Sequence, residues 1–251
     1  MNNRTMNKII KVFKTNANSV CRLFCFPFAG GSASFFRDWQ NISEQNGIEL
    51  CAIQMPGRED RIGEGLFTDV DKAVTEIVEA MIDFQDKPYA FFGHSMGTLI
   101  SFEVTRKLRL LNMRQPDILF VSSGKAPHIQ PRRMLHKLSD ECFLLKINEL
   151  GGIPDIILEN QDLINLYLPI LRADFKMIET YQYTDSQPLD INIVAYGGRL
   201  DREVRYQDIA AWEGYSVKPF SIHVYEGDHF YLRNHREVLL QDMFMHIGKS
   251  C

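Results

Sequence analysis

The feature that most constrains this chain is the pentapeptide Gly-His-Ser-Met-Gly at residues 93–97, together with the segments on either side of it. Apolar and aromatic residues at 89–92 predict a buried strand, and apolar residues at helical spacing after position 97 predict a helix. So tight a turn excludes bulky residues two positions before and two positions after Ser95. The pattern is therefore typical of the nucleophile elbow of serine hydrolases and acyltransferases.

The segments around this elbow alternate between strand and helix patterns. Such alternation predicts an α/β fold with a mostly parallel central sheet flanked by helices. A chain of 251 residues with 45% hydrophobic residues can bury one substantial core of this kind. The predicted strands are residues 23–26, 48–55, 89–92, 118–121, 191–196 and 220–225.

The alternation stops between residues 126 and 187, where helical patterns continue without a convincing strand pattern. We therefore predict an α/β-hydrolase core at residues 20–125 and 188–251. A helical lid insertion at residues 126–187 is expected over the carboxyl ends of the strands. Residues 1–19 are polar and basic, and we expect them to form a flexible N-terminus.

A serine nucleophile needs a base, which in the α/β-hydrolase fold is a histidine that follows the last strand. His229 lies four residues beyond the last predicted strand, where a loop can bring its imidazole over Ser95. We predict His229 as the general base and keep His235 as the alternative. His223, inside the strand pattern, and His246, inside the final helix pattern, are predicted to be structural.

The acid that orients this histidine is expected just after the preceding strand. Asp201 follows that strand within a few residues and is the predicted acid, although a helix-capping role is the other interpretation of it. Asp190, before the strand, and Asp208, in the next predicted helix, are the alternatives. Asp228 is adjacent to His229 in sequence, so its side chain is expected to point away from the ring.

These residues have distinct chemical roles. Ser95 is a poor nucleophile until His229 takes its proton, and Asp201 holds the imidazole in the required tautomer. Two backbone N–H groups must stabilise the tetrahedral oxyanion. We predict the N–H of Met96, directly after the serine, and that of Phe28, which follows a proline in the loop after the first predicted strand. This chemistry requires no metal and no cofactor.

Five short segments carry a further signal: Phe-Pro-Phe-Ala-Gly-Gly at 26–31, Met-Pro-Gly-Arg-Glu at 55–59, the elbow at 93–97, Leu-Arg-Ala-Asp-Phe at 171–175 and Gly-Asp-His-Phe at 227–230. With these segments in this order, the chain resembles the type II thioesterases of nonribosomal peptide and polyketide synthetase systems. That family is related to the medium-chain thioesterase of animal fatty acid synthesis. Asp228 departs from the family pattern, which usually has glycine there, and residues 123–127 lack the arginine that often accompanies the lysine.

The resemblance implies a substrate and a role. The substrate would be an acyl or peptidyl group held as a thioester on the phosphopantetheine arm of an acyl- or peptidyl-carrier protein. The role would be editing, which means hydrolysis of aberrant or stalled groups. A medium-chain fatty acyl-carrier-protein or acyl-CoA thioesterase, or a general carboxylesterase, is the alternative.

Two further groups of residues each allow two interpretations. The charged residues 58–61 form either an ion-pair network or a docking edge for an acidic carrier protein. Eight apolar residues of the insertion either line an acyl chamber or pack the insertion against the core. They are Ile153, Ile156, Ile157, Leu163, Leu166, Leu168, Ile170 and Leu171.

The overall composition limits the expected partners. A net charge of −4, a pI near 6.0 and the lack of a Lys/Arg-rich block argue against nucleic acid. The five cysteines are widely spaced, so neither a zinc site nor a disulfide framework is predicted. Without a signal-peptide pattern or an apolar run of about 18 residues, we expect a cytoplasmic monomer with no membrane partner.

Overall fold

The fold is built on one seven-stranded sheet in a computed structural model that describes residues 8–131, 133–153 and 155–250. The strands are β1 (Ile10–Val12), β2 (Cys21–Phe26), β3 (Ile48–Ile53), β4 (Tyr89–His94), β5 (Ile118–Ser122), β6 (Asn192–Gly198) and β7 (Phe220–Tyr225). Their order across the sheet is β1-β3-β2-β4-β5-β6-β7, and every neighbouring pair except β1 with β3 is parallel. The predicted mostly parallel sheet is confirmed.

Helices cover both faces of this sheet. Several follow the predicted pattern directly, such as the long helix after the elbow and the final helix. The α-helices are α1 (Gln40–Gln45), α2 (Val70–Met81), α3 (Met96–Leu110), α4 (Asp140–Glu149), α5 (Asp155–Leu158), α6 (Gln161–Glu179), α7 (Tyr206–Ala210) and α8 (Arg236–Ser250). Among the described residues, no helix is both long enough and apolar enough to cross a membrane.

The central strands are buried because helices pack against both of their faces. Side chains alternate between the faces, so Phe24 and Phe26 join one apolar cluster while Leu23 and Cys25 join the other. The first cluster includes the apolar sides of α2 and α3, and the second includes that of α8. Since β2 to β7 run parallel, their carboxyl ends meet at one edge of the sheet, and the loops there carry the predicted site residues.

The N-terminal segment differs from its prediction. Residues 10–12 form the edge strand β1, in which Ile10 is buried and lies opposite Ile53 of β3. So short a strand leaves no periodic signal in the sequence and is stabilised by pairing with β3, which explains why a flexible terminus was the wrong expectation for these residues. Residues 1–7 of that prediction lie outside the described residues.

Between β5 and β6, the described residues form helices α4, α5 and α6 and no strand. We call the segment from α4 to α6 the cover. Helix α6 also reaches the core, since Met177 belongs to the first cluster. The cover has an apolar cluster of its own, whose buried members are Phe143, Ile147, Ile153, Ile157 and Leu171.

Candidate active site

Ser95 lies in the turn between β4 and α3, in a backbone conformation that L-residues rarely adopt. Its φ is +53° and its ψ is −115°, and its N–H donates to the carbonyl of Ser122 at 2.8 Å. A Cβ on Gly93 would overlap the backbone of Gly97, and a Cβ on Gly97 would overlap the carbonyl of Phe26. Close backbone approach therefore requires both glycines, and the strained serine has the conformation expected of an elbow nucleophile.

Gly97→Ala is expected to lower both stability and activity. The added methyl group forces β2 and α3 apart, at an overpacking cost of about 1–3 kcal/mol. Because this shift displaces Ser95, we expect hydrolytic turnover to fall by about 10²-fold. Thermal unfolding and turnover should be compared with those of Gly63→Ala, whose Cβ would meet open space. If Gly97→Ala behaved like that control, the turn would not need glycine.

The structure brings Asp201 and His229 into direct contact. Nδ1 of His229 lies 2.8 Å from Oδ2 of Asp201, and both residues are buried. The second oxygen, Oδ1, accepts the backbone N–H groups of Glu203 at 2.9 Å and Val204 at 3.0 Å. Because α7 begins only at Tyr206, these two contacts stabilise the loop after β6 and do not cap a helix, and the other oxygen of the carboxylate is left for His229.

The surroundings of Asp201 keep it ionised. Burial opposes its charge, but the hydrogen bond and charge of His229, together with the two backbone donors, hold the pKa of Asp201 below its usual range. A carboxylate can only accept, so Nδ1 of His229 carries a proton toward it and Nε2 is left as the basic nitrogen. The pair thus has the arrangement that general base catalysis needs.

The loops that carry these two residues are packed on each other. The N–H of Leu200, after β6, donates to the carbonyl of Gly227, after β7, at 2.8 Å. A Cβ on Gly198 would overlap the carbonyl of Asp228. The small residue at 198 therefore allows the two loops to approach closely enough for the acid and the imidazole to meet.

The alternative acids have other partners. Asp190 pairs with a lysine side chain at 2.9 Å, and Asp208 accepts a backbone N–H at the start of α7 at 3.0 Å. Asp228 accepts the backbone N–H two residues further along the chain at 2.8 Å. Among the described residues, the carboxylate that is hydrogen-bonded to His229 is that of Asp201.

The other late histidines are placed away from this pair. Nε2 of His235 lies 2.7 Å from the carbonyl oxygen of Glu226. His223 and His246 lie with Asp242 on β7 and α8, where one potential metal-ligating atom from each falls within 4.8 Å of the others. This group shares no residue with the predicted site.

The backbone donors predicted for an oxyanion come from the elbow and from the loop after β2. Met96 is the first residue of α3, so its N–H has no partner within the helix. The Phe28 ring packs edge-on against Phe230, with centroids 4.9 Å apart, whereas Ala29 lines the cavity that also contains Ser95. Within the described part of the chain, no acceptor takes the N–H of Phe28 or Ala29. Ala29 is thus a second candidate donor, which no sequence pattern distinguishes from its neighbour.

A cavity of about 410 Å³ adjoins these groups. Ser95, Met96 and His229 all line it, so the predicted nucleophile, one oxyanion donor and the base face one space. The rest of the lining includes apolar side chains of the cover and cationic side chains of the surrounding loops. Among these are Leu150, Phe175, Ile178, Lys125 and Arg202.

The eight apolar residues proposed as a possible chamber do not line this cavity. Ile153, Ile157 and Leu171 are instead buried in the cluster of the cover, while Ile156 and Leu166 are exposed. The packing interpretation applies to these buried members, because they share one apolar cluster with Phe143 and Ile147 of α4 and do not line the space at Ser95.

His94, beside the serine, is a buried group with no role assigned from the sequence. Its Nδ1 lies 2.9 Å from the hydroxyl of Ser122, which in turn lies 2.7 Å from that of Tyr231. Burial, with contributions from His229 and Arg233, lowers the pKa of His94 well below its ordinary value. This shift favours the neutral form of His94, whose ring centroid lies 5.3 Å from that of His229.

Comparison with known proteins places this geometry in a family. The sequence model of the thioesterase domain matches residues 21–247. The gramicidin S biosynthesis protein GrsT of Aneurinibacillus migulanus is 38% identical over 239 residues, which cover 95% of this chain and 93% of that protein. The medium-chain S-acyl fatty acid synthase thioesterase of Rattus norvegicus is 33% identical over 230 residues, covering 90% and 86%.

A solved structure agrees with these sequence matches. YbtT, a type II thioesterase from the yersiniabactin NRPS/PKS biosynthetic pathway, superposes with a TM-score of 0.85 at 28% identity, covering 96% of this chain and 99% of that one. The predicted α/β-hydrolase fold and the predicted resemblance are confirmed. This chain belongs to the thioesterase domain family.

Proposed function

We propose that this thioesterase hydrolyses aberrant or stalled acyl and peptidyl thioesters on the phosphopantetheine arms of carrier proteins in a nonribosomal peptide or polyketide synthetase. The observation that carries the hydrolytic part is the buried Asp201–His229 pair, of which His229 lines the same cavity as Ser95. The carrier-bound substrate is supported by relatives such as GrsT, a gramicidin S biosynthesis protein, and YbtT, a type II thioesterase of an NRPS/PKS pathway.

In the acylation step, His229 takes the proton of Ser95 as Oγ attacks the thioester carbonyl. The oxyanion that forms is stabilised by the N–H of Met96 and by that of Phe28 or Ala29. The carbon–sulfur bond then breaks and His229 returns the proton to the sulfur. A thiol has a pKa of about 8.5, so this leaving group departs readily.

In the deacylation step, water replaces the sulfur side of the substrate. His229 removes a proton from the water, which attacks the acyl group on Ser95 through a second oxyanion. When this intermediate collapses, the bond between the acyl carbon and Oγ breaks, His229 returns the proton to Oγ of Ser95, and the carboxylic acid is released. Asp201 stabilises the imidazolium in both steps, and none of the steps uses a metal or a cofactor.

We propose that residues 126–187 act as the lid of this site. Support comes from Phe175 and Ile178 on α6, which line the same cavity as Ser95 and His229. We further propose that the enzyme works as a cytoplasmic monomer without nucleic-acid or membrane partners. The net charge of −4 supports the exclusion of nucleic acid.

A second candidate is a medium-chain fatty acyl thioesterase, which the similarity to the rat enzyme favours.

The preference for a carrier-bound substrate tests the first proposal. The enzyme should prefer acetyl- or propionyl-carrier protein over the matching CoA thioester by about tenfold or more in kcat/KM, because the carrier surface adds binding energy used in the transition state. Equal specificity constants would favour a general acyl-CoA thioesterase. A matched oxygen ester hydrolysed as fast as its thioester would favour a carboxylesterase.

A further inference from the structure

The carboxylate of Asp174, on α6 of the cover, is buried against the loop that follows β2. Its Oδ2 accepts the N–H of Gly30 at 2.7 Å and Nη1 of Arg58 at 2.8 Å, and its Oδ1 accepts Nη2 of Arg58 at 2.9 Å. Asp174 is 1% exposed and Arg58 is 6% exposed. This burial favours the ion-pair interpretation of residues 58–61 over a docking edge.

Other contacts hold the same loop. Arg58 also donates to the carbonyl of Gly31 at 2.9 Å, and the hydroxyl of Tyr167 on α6 donates to the carbonyl of Gly30 at 2.6 Å. The N–H of Gly31 donates within the loop to the carbonyl of Phe28 at 2.8 Å. Within the described residues, these contacts occupy the glycine N–H groups, whereas the two N–H groups before them remain available to a ligand.

The loop and the helix also approach each other too closely for a side chain. Gly30 has a φ of +76°, and a Cβ there would come within 3.2 Å of the Tyr167 ring and closer still to Leu171. Helix α6 therefore lies directly on the loop that contains the candidate oxyanion donors. Any displacement of α6 at Asp174 is transmitted to Gly30 through a hydrogen bond rather than through a flexible linker.

The contacts of Asp174 join the cover to the loop that contains the candidate oxyanion donors. Desolvation offsets much of the attraction within a buried ion pair, so burial alone is weak evidence for a stabilising role. An oxyanion donor, in contrast, is effective only when the surrounding contacts hold it within about 0.5 Å of its productive position. We propose that Asp174 is a positioning residue. Through its contacts with Gly30 and Arg58, it fixes the position of the loop after β2, which contains the candidate oxyanion donors Phe28 and Ala29. This inference rests on the proposed function.

Asp174→Asn tests the proposal, because it keeps the size of the side chain and removes the charge that Arg58 binds. The bound thioester carries no oxyanion, which develops only in the transition state and the tetrahedral intermediate, so a displaced donor lowers kcat and kcat/KM together and leaves KM nearly unchanged. We expect kcat for a propionyl thioester to fall by about 10- to 100-fold, less than the loss of an entire oxyanion donor. KM should stay within about twofold of the wild-type value.

A transition-state analogue separates positioning from a general loss of stability. Ser95 adds to the carbonyl of an alkyl trifluoromethyl ketone, and the oxyanion that forms is stabilised by the same backbone N–H donors. Its Ki should therefore rise by the same factor by which kcat/KM falls. Glu49→Gln is the matched control, because it breaks another buried pair, with Arg22 Nε 2.6 Å from Glu49 Oε2, at the opposite end of the sheet. It should lower Tm and leave kcat and Ki unchanged.

Tyr167→Phe keeps the proposal testable if Asp174→Asn does not fold. It removes one hydrogen bond to the loop without leaving a buried charge, and kcat should fall by about 3- to 10-fold with a parallel rise in Ki. Wild-type kcat and Ki in a folded Asp174→Asn protein, or in Tyr167→Phe if that protein does not fold, would overturn the inference. The proposed function would be unaffected by that result. A fall in kcat without a rise in Ki would also overturn the inference. A wild-type protein inactive on thioesters would instead refute the proposed function, and the inference with it.

Discussion

Replacing Ser95 with alanine is expected to reduce thioester turnover by about 10⁶-fold, the loss observed when the catalytic serine of subtilisin is removed. The reason is that His229 and Asp201 have no other hydroxyl to activate at the elbow. The serine is held at a φ of +53° directly before α3, and alanine keeps the adjacent glycine contacts intact. The fold should therefore survive while the acyl-enzyme cannot form.

Steady-state release of free thiol from an acyl-pantetheine thioester measures this loss. Ser101→Ala is the matched control, since Ser101 is a buried serine of the same helix whose hydroxyl donates to the carbonyl of Thr98. The control should keep turnover within a few-fold of wild type. Near wild-type turnover of the Ser95→Ala protein would contradict the proposed mechanism.

Asp201→Asn is expected to reduce kcat by about 10²- to 10⁴-fold, a smaller loss than that of the serine, because the base itself remains in place. The amide oxygen of asparagine can still accept the N–H groups of Glu203 and Val204. The NH₂ group then faces His229 and cannot accept from Nδ1, which favours the wrong tautomer.

The two alternative acids provide matched controls for this substitution. Asp190→Asn and Asp208→Asn change the same functional group at positions that pair with a lysine and with the start of α7. Both should retain turnover within a few-fold of wild type, as measured by thiol release. An inactive Asp190→Asn or Asp208→Asn protein beside an active Asp201→Asn protein would show that the acid lies elsewhere.

Those parts of the site that depend on local sterics and chain order can be predicted from the sequence. The elbow is readable because a strand–turn–helix transition leaves no space for side chains at Gly93 and Gly97. Asp201 and His229 are readable because parallel strands bring successive loops to one edge of the sheet. The order of the strands therefore predicts that the two side chains meet, and in the structure they lie within hydrogen-bond distance.

The remaining features depend on contacts between distant segments. Asp174 and Arg58 are separated by 116 positions, and neither residue type alone indicates an ion pair beneath the cover. The choice between Phe28 and Ala29 depends on which N–H faces the cavity. The short strand β1 exists because β3 offers it an unpaired edge. These three features become visible only in the folded chain, because no periodic pattern of residues in the sequence predicts them.

The central claim is that Ser95 removes acyl groups from carrier proteins through a covalent intermediate. Intact-protein mass spectrometry of a propionyl-loaded carrier protein, mixed with the enzyme and quenched over time, tests it most directly. With the wild-type chain, we expect the carrier to lose the propionyl mass and the chain to gain it transiently. With Ser95→Ala, the carrier should stay loaded and the chain should gain no mass. A carrier unloaded equally by both proteins, or by neither, would contradict the claim.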